Sequence, residues 1–336
     1  MDGNKRRHTL PAGVLPTGTP DHAEDLGSHV RARAPSASEV PRSELAVGPP
    51  PPVRRARGLV DQLITLGPGE TAPSIRTLLP LGNFALEELS RSFPGPLWRP
   101  SLATDSRLPR PEEISASAQA LVAFGAEAVP YLARLMRHPS SDVRYYAVVT
   151  CDSIRDADLV GPLARVALDE NRDCRRVALH LLSNYQHEPR YRLALGALRQ
   201  SASDKSETLG ARRRAISALT QLRDDSSASL FVDLLGDPDR GIATASRVGL
   251  RVLTAHDFGF LREPWLRWLA ERGQEIRIQW LIEGLGDARA NIRLLASREL
   301  WRLTRLLQPL PETAERASFI EAQRNYERWW SKQHPT

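Results

Sequence analysis

The sequence predicts an all-α fold, and three observations support that prediction. Segments with apolar residues at helical spacing run almost without interruption from about residue 114 to residue 333. The chain contains no convincing stretch in which apolar and polar residues alternate as they do in a half-buried strand. Five of the helical segments also fit a single template, which indicates an internal repeat.

Composition divides the chain into three regions. Residues 1–56 are rich in Pro, Ala, Ser, Gly and charge, so we expect a disordered tail with a polyproline II segment at Pro49–Pro52. In residues 57–112, short apolar-periodic segments precede a Pro-rich connector, which predicts N-terminal capping helices. Residues 113–336 carry the repeated helices, an insertion at 255–273 and a Trp-rich capping helix at the C-terminal end.

The repeat template reads apolar, Arg, any, any, small, then apolar residues seven and ten positions after the arginine. We call its arginine positions the arginine column, which consists of Arg144, Arg175, Arg212, Ala243 and Arg293. The small residues are Ala147, Ala178, Ala215, Ser246 and Ala296; the +7 residues are Cys151, Leu182, Leu219, Leu250 and Leu300; the +10 residues are Ile154, Tyr185, Leu222, Leu253 and Leu303. Offsets of three, seven and ten lie on one face of a helix.

Each templated helix follows another apolar-periodic helix, as in GAEAVPYLARLMRHPSSDVRYYAV, so the repeating unit is a helix pair. The arginine-column positions are 31, 37, 31 and 50 residues apart, which is the range of α-solenoid repeats apart from the last interval with its insertion. Aspartates in the turns (Asp142, Asp173, Asp237 and Asp287) are predicted to cap backbone N–H groups at or near helix starts.

Two tryptophan pairs, Trp265/Trp268 and Trp329/Trp330, follow the fourth and fifth templated helices. The end of a repeat array has an unpaired apolar face that a bulky aromatic residue can cover. We therefore interpret both pairs as caps, in preference to a tryptophan box for a ligand.

The pattern of apolar-Pro-x-Leu-x-x-Leu, a turn with Asp, then Val-Arg-x-x-Ala resembles the HEAT-repeat family, in the short bacterial form of phycobilin-lyase-like HEAT proteins. The resemblance covers about residues 115–305 well and 57–100 weakly. It implies a right-handed α-α superhelix of the HEAT/armadillo type, in which the second helix of each pair lines the concave surface.

The same resemblance implies a structural ladder between neighbouring repeats, in which an Asp in the inter-helix turn pairs with the arginine of a second helix. Asp142 and Asp173 would be the acids, and the rungs would be Arg144, Arg175, Arg212 and Arg293. We expect an interruption at the fourth repeat, where Ala243 replaces arginine, and at the third, which lacks a clear matching Asp.

If the arginine column points between repeats, the positions one, five and eight residues after it face outward. Tyr, Trp and Arg are favoured at interface hot spots, and these positions supply candidate partner-binding residues: Tyr145, Arg176, His180, Arg213, Arg251, Arg298 and Trp301. The alternative is that they are ordinary solvated helix positions.

The formal net charge is +6, from 46 basic and 40 acidic residues, and only three of the basic residues are lysine. Nucleic acid is therefore a conceivable partner, but so strong an arginine bias can follow from a GC-rich coding sequence, which weakens the inference.

Cys151 and Cys174 lack metal-type spacing and fit buried apolar positions. With no apolar signal region and no apolar run of membrane-spanning length, we expect a soluble cytoplasmic protein.

No catalytic or metal-binding pattern stands out. His180 and His187 lack a partner at ligand-like spacing, and no phosphate-binding glycine loop or nucleophile motif is present. We expect a non-enzymatic scaffold without a cofactor, which binds a protein or peptide partner of some acidic character along its second helices. Two alternatives remain open: a lyase or chaperone for a tetrapyrrole-carrying protein, implied only by the resemblance, and a HEAT-like DNA-binding or base-excision protein.

Overall fold

The computed structural model describes residues 51–98 and 108–334, and all regular secondary structure within these two ranges is helical. The α-helices in chain order are α1 Pro51–Leu63, α2 Ala72–Leu78, α3 Asn83–Ser92, α4 Pro111–Ile114, α5 Ala116–Phe124, α6 Val129–Leu135, α7 Ser141–Thr150, α8 Val160–Val166, α9 Arg172–Leu182, α10 Pro189–Ser203, α11 Leu209–Leu222, α12 Ala228–Leu234, α13 Arg240–Thr254, α14 Arg262–Arg272, α15 Arg277–Gly284, α16 Ala290–Thr304 and α17 Arg316–Gln333.

The first helix, α1, begins at Pro51, six residues before the boundary that composition predicts. Pro51 and Pro52 therefore lie in its first turn and not in a polyproline II segment. Proline is well tolerated there, because the first N–H groups of a helix have no acceptor within the helix. The rest of the predicted tail, including Pro49, lies outside the described residues, as does part of the predicted connector at 99–107.

The helices pack against one another in chain order as two layers. The templated second helices α7, α9, α11 and α13 contact each other in sequence, with α5 preceding them. The first helices α8, α10 and α12 also contact in sequence, and each packs on the second helix of its own pair. This arrangement is compatible with a helical repeat solenoid.

The templated face of each second helix forms the core between the layers. All five small-column residues, from Ala147 to Ala296, have no exposed surface. Four of the five +7 residues are likewise fully buried, and the fifth, Cys151, is 3% exposed. At the +10 positions, Ile154, Leu222 and Leu253 are buried and Tyr185 is half-buried. The last +10 residue, Leu303, is 49% exposed because no further second helix covers it.

The insertion contributes α14, which packs on the first-helix layer beside α12. Its residues Trp265 and Trp268 are buried and pack with Phe258, so this pair fills the interior of the array and does not cover an end. At the C-terminal end, α17 packs on α15 and α16. It buries Phe319 and Tyr326 against the last core cluster, with Trp329 and Trp330 partly buried beside them.

Both cysteines are free and buried, at 3% exposure for Cys151 and 0% for Cys174. Within the described ranges, none of the helices combines the length and the apolar character needed to cross a membrane.

Candidate interaction surface on the second helices

The turn before most second helices has a common hydrogen-bond pattern. A residue six positions before the arginine column accepts a hydrogen bond from the backbone amide two residues further on. Asp169, Asp237 and Asp287 accept through Oδ1 at 2.8–2.9 Å, and in the first repeat the acceptor is His138 Nδ1. These short-range bonds fix each side chain at the edge of the array, where the arginine of the preceding repeat can reach it.

Arg144 forms hydrogen bonds both to its own turn and to the turn of the next repeat. Its Nε and Nη2 donate to the two carboxylate oxygens of Asp169 at 2.7 and 2.9 Å, and its Nη1 donates to the carbonyls of His138 and Pro139 at 2.8 Å each. The Arg144 side chain is only 18% exposed and that of Asp169 only 10%. A planar guanidinium can satisfy a carboxylate and turn carbonyls together, so Arg144 joins its own turn to the next repeat.

Arg212 makes the equivalent link to Asp237, which is also 25 residues further along the chain, with Nη2 donating at 2.6 Å. Its Nε donates to the carbonyl of Ala202, and both partners of the ion pair are almost fully buried. Burial alone would raise the pKa of Asp237, but the hydrogen bond and charge of Arg212 bring it below its ordinary value.

The acids expected in this ladder, Asp142 and Asp173, are not its acceptors. Both are exposed in the first turn of their own helix, and within 51–98 and 108–334 the only ion pair of Asp173 is with Arg176, at 3.5 Å. The acceptors, Asp169 and Asp237, lie instead in the turn after the first helix of the following repeat. Nor do Asp142 and Asp173 cap their helices, since Ser140 and Asn171 hold the N-cap positions of α7 and α9. The prediction is confirmed for Asp237 and Asp287, which accept backbone amides at the starts of α13 and α16.

The remaining arginine-column positions show only part of the pattern. Arg175 and Arg293 each donate through Nη1 to the carbonyls five and six residues before them, and neither has a carboxylate partner among the described residues. At the fourth repeat, where Ala243 stands, the carboxylate of Asp287 is instead bound by Arg289 of its own turn at 2.8 and 2.9 Å.

Beside these engaged arginines lie side chains that face solvent. Arg176 and Arg213, one position after the column, are both exposed. Arg213 donates only to the carbonyl of Leu209 in its own helix, and it lies over the start of α13, where a Cβ at Gly241 would come within 3.0 Å of Nη1. His180 is exposed on the same side of α9 and uses only its backbone carbonyl, which accepts from Ser183.

Tyr145 and Arg176 come close to each other across α7 and α9. Burial raises the pKa of Tyr145, and the Arg176 charge acts in the opposite direction. The Tyr145 ring is half-buried, packs edge-on against Tyr146 at 5.3 Å and touches the main core. Only one side of this tyrosine is therefore available to a partner.

The other candidate residues are engaged within the fold. Arg251 lies 3.5 Å from Asp257 in the insertion, and Arg298 pairs with the exposed Glu312 at 3.0 Å. Trp301 is half-buried, with the guanidinium of Arg305 4.0 Å above its ring. The structure thus brings together Tyr145 and Arg176 but does not join Arg251, Arg298 and Trp301 to them.

A buried charge network that the template did not reveal links distant helices. The Glu299 carboxylate accepts from Arg223 at 2.7 and 2.8 Å and from Arg277 at 2.8 Å, and its side chain is 5% exposed. Burial acts to raise the pKa of Glu299, but the two arginines lower it to about 2. The sequence did contain a signal, because the +6 position is Thr150, Leu181, Ala218 or Gly249 in the other repeats.

A second missed cluster anchors the insertion. Arg247 of α13 holds the carboxylate of Asp257 with hydrogen bonds of 2.8 and 2.9 Å, and the Gly259 amide donates to the same group. Next to it the His256 ring packs 4.7 Å from Trp268 and bonds the carbonyl of Thr254 through Nδ1. These contacts fix the loop between α13 and α14, and His256 is consequently a packed residue.

Within the described ranges, no group of three or more His, Cys, Asp or Glu side chains is placed to hold a metal ion. No protein-family model matches the chain, and no curated protein matches it. Among solved structures, it is similar to the crystal structure of an engineered protein, with 16% identity, a TM-score of 0.29 and coverage of 73% of this chain and 95% of that one. A TM-score this low carries no argument about fold or function.

Proposed function

We propose that the chain is a HEAT-type solenoid that acts as a non-enzymatic scaffold and binds a protein or peptide partner on the exposed side of its second helices. The observation that carries this proposal is a division of roles between adjacent arginines. Arg175 and Arg212 of the arginine column bond carbonyls or a carboxylate inside the array. Arg176 and Arg213, one position after them, are exposed. Among the described residues, Arg176 has only a 3.5 Å contact to Asp173, and Arg213 donates only to the carbonyl of Leu209.

The chemistry of this side favours an acidic partner. Arg172 and Arg240, at the starts of α9 and α13, are exposed and form no ion pair with any described residue. Together with Arg176 and Arg213 they give the middle second helices an excess of exposed guanidinium groups, which can bond carboxylates in a forked geometry.

The proposal is tested by reversing charge at the two central positions. We expect Arg176→Glu with Arg213→Glu to abolish capture of the partner from an extract of the native cell. The matched control is Arg192→Glu with Arg267→Glu, which changes the net charge equally at exposed positions of α10 and α14 in the first-helix layer.

Circular dichroism and the urea midpoint should be unchanged in both double variants, because none of the four arginines is buried. Retention of the same proteins by the wild type and both variants would contradict the proposal. Retention of duplex DNA in a salt-dependent manner would point to a nucleic-acid partner instead.

A further inference from the structure

A cavity of about 580 Å³ lies where α9, α11 and α16 end and α15 begins. Its volume is within the range of ligand-binding pockets, roughly 300–1,000 Å³. The walls combine the charged network around Glu299 with apolar side chains, and neither the repeat contacts nor the surface proposed above accounts for this space.

Positive charge is in excess in the cavity. Three arginines line it (Arg223, Arg277 and Arg302), against two carboxylates, Glu299 and Asp225. Glu299 is fully occupied by these arginines, since Arg302 also approaches it at 3.4 Å in addition to the bonds from Arg223 and Arg277. The net charge of +1 therefore suits a monoanion.

Donor groups remain free for such an anion. Arg277 is 7% exposed, and its Nε and Nη2 bond the carbonyls of Leu253 and Val252 and the carboxylate of Glu299. Its Nη1 donates no hydrogen bond to any described residue, although this side chain lines the cavity. Arg302 is 53% exposed, and its only contact to a described carboxylate is the 3.4 Å one to Glu299. Both guanidinium groups therefore have N–H donors left for a ligand.

Apolar surface lies next to these donors. Ile276 is 50% exposed and Leu303 49% exposed, and both belong to the cavity wall together with Leu222 and Ile278. A ligand that fills this space must pair an anionic group with an aliphatic group. Leu303 stands at a template position that is buried or half-buried in the other repeats, so its exposure leaves apolar surface for a ligand to cover.

We infer that this cavity binds a carboxylate side chain of the partner protein together with an adjacent aliphatic residue, with Arg277 and Arg302 as the donors. A carboxylate is preferred over a phosphate because the cavity carries a single excess positive charge. The inference rests on the proposed scaffold function, since it assigns an anchoring point to the same partner.

The test uses the full chain and a labelled peptide with both ends blocked, Gly-Leu-Glu-Leu-Gly, measured by NMR titration of the Ile276, Ile278 and Leu303 methyl groups. We expect saturable shifts with wild-type protein, a loss of affinity of at least about tenfold with Arg302→Gln, and unchanged affinity with Arg267→Gln. Arg267 is the matched control because it is an exposed arginine of α14 that lies outside the cavity wall. Arg277→Lys, which keeps the buried charge and reduces the number of donors, should also weaken binding.

Absence of saturable shifts, or equal binding by wild type and Arg302→Gln, would overturn the inference. Replacing Glu by Gln in the peptide should abolish binding, and tighter binding of a phosphoserine peptide would overturn the choice of a carboxylate. Failure here is distinguishable from failure of the scaffold proposal. A partner kept by Arg302→Gln but lost from the Arg176→Glu/Arg213→Glu variant would overturn the cavity's role and leave the scaffold proposal standing.

Discussion

The guanidinium of Arg144 binds both carboxylate oxygens of Asp169, a residue 25 positions further along the chain and in the next repeat. Arg212 has the same relationship in sequence to Asp237. The arginine of a second helix thus connects to the turn that ends the following first helix. This contact joins one repeat to the next.

Replacing Arg212 by Ala should lower the free energy of unfolding by about 3 kcal/mol, because it leaves the buried carboxylate of Asp237 without its ion-pair partner. Arg213→Ala, one residue away and exposed, should change the stability by less than about 0.5 kcal/mol. Urea unfolding of both variants measures the difference. Equal stability of the two would show that the buried pair contributes nothing to joining the repeats.

Stability should fall with acidification in a window set by Glu299. Its folded-state pKa is about 2, below the ordinary value of 4.5. A depressed folded pKa contributes stability that is complete above about pH 5 and is lost as the pH falls toward 2, amounting to about 3 kcal/mol. The measurement is the free energy of unfolding between pH 6 and pH 2.5.

The matched variant for this pH dependence is Glu299→Gln. It should be less stable than the wild type at pH 6, and its stability should decline less steeply with acidification. Asp237, Asp257 and Asp287, whose pKa values are also lowered, titrate in both proteins and supply the common background. Parallel pH profiles would contradict the assignment of the transition to Glu299.

Gly249 permits close approach of α13 to its neighbours. A Cβ at this position would lie 2.5 Å from the Phe231 ring and 2.8 Å from Thr220 Oγ1. Gly249→Ala should therefore destabilise the protein by about 1–3 kcal/mol, although alanine is the better helix former. The control is Gly196→Ala in α10, where nothing lies within 4 Å and the change should stabilise by about 0.5–1 kcal/mol. Thermal unfolding of both variants should therefore give shifts of opposite sign.

The two thiols should react with a thiol-specific reagent only when the array opens. Both are buried, and burial raises the pKa of Cys174 to about 12, which removes the reactive thiolate. We expect labelling at least about 1,000-fold slower than in denaturant. Cys174 Sγ contacts the Ser141 carbonyl beside the Arg144 turn, so Arg144→Ala should accelerate labelling of Cys174 more than that of Cys151. Peptide mapping of the labelled protein measures the rate of labelling at each cysteine.

Helical periodicity predicted the all-helical fold, the helix pairs and the buried template face, since these depend on spacing within one helix. The ladder depended on contacts between helices, and there the prediction chose the wrong acids. Asp142 and Asp173 stand next to their arginines in sequence, but the first helical turn directs them to solvent. Asp169 and Asp237 belong to the turn of the following repeat, a neighbour in space that local spacing does not identify.

For the candidate surface, the sequence predicts which side chains are exposed, and their role in binding a partner stays a prediction. The exposure of Arg176, His180 and Arg213 follows from helical geometry alone. The interpretation of Trp265 as a cap was wrong. The sequence indicates that this aromatic side chain is buried, but it does not show which helices bury it. The partners of Glu299 lie 22 and 76 residues away in the sequence, and helical periodicity does not predict contacts between residues so far apart.

Arg223 occupies the left-handed region of backbone space at φ 59°, where glycine is normally favoured and other residues cost roughly 1–2 kcal/mol. Its side chain reaches Glu299 from this position, so the backbone cost is offset by a contact that glycine cannot make. The side chains at positions 223 and 299 therefore depend on each other. In related chains we expect residues 223 and 299 to change together. Glycine should occur at position 223 only where the residue at position 299 is not acidic.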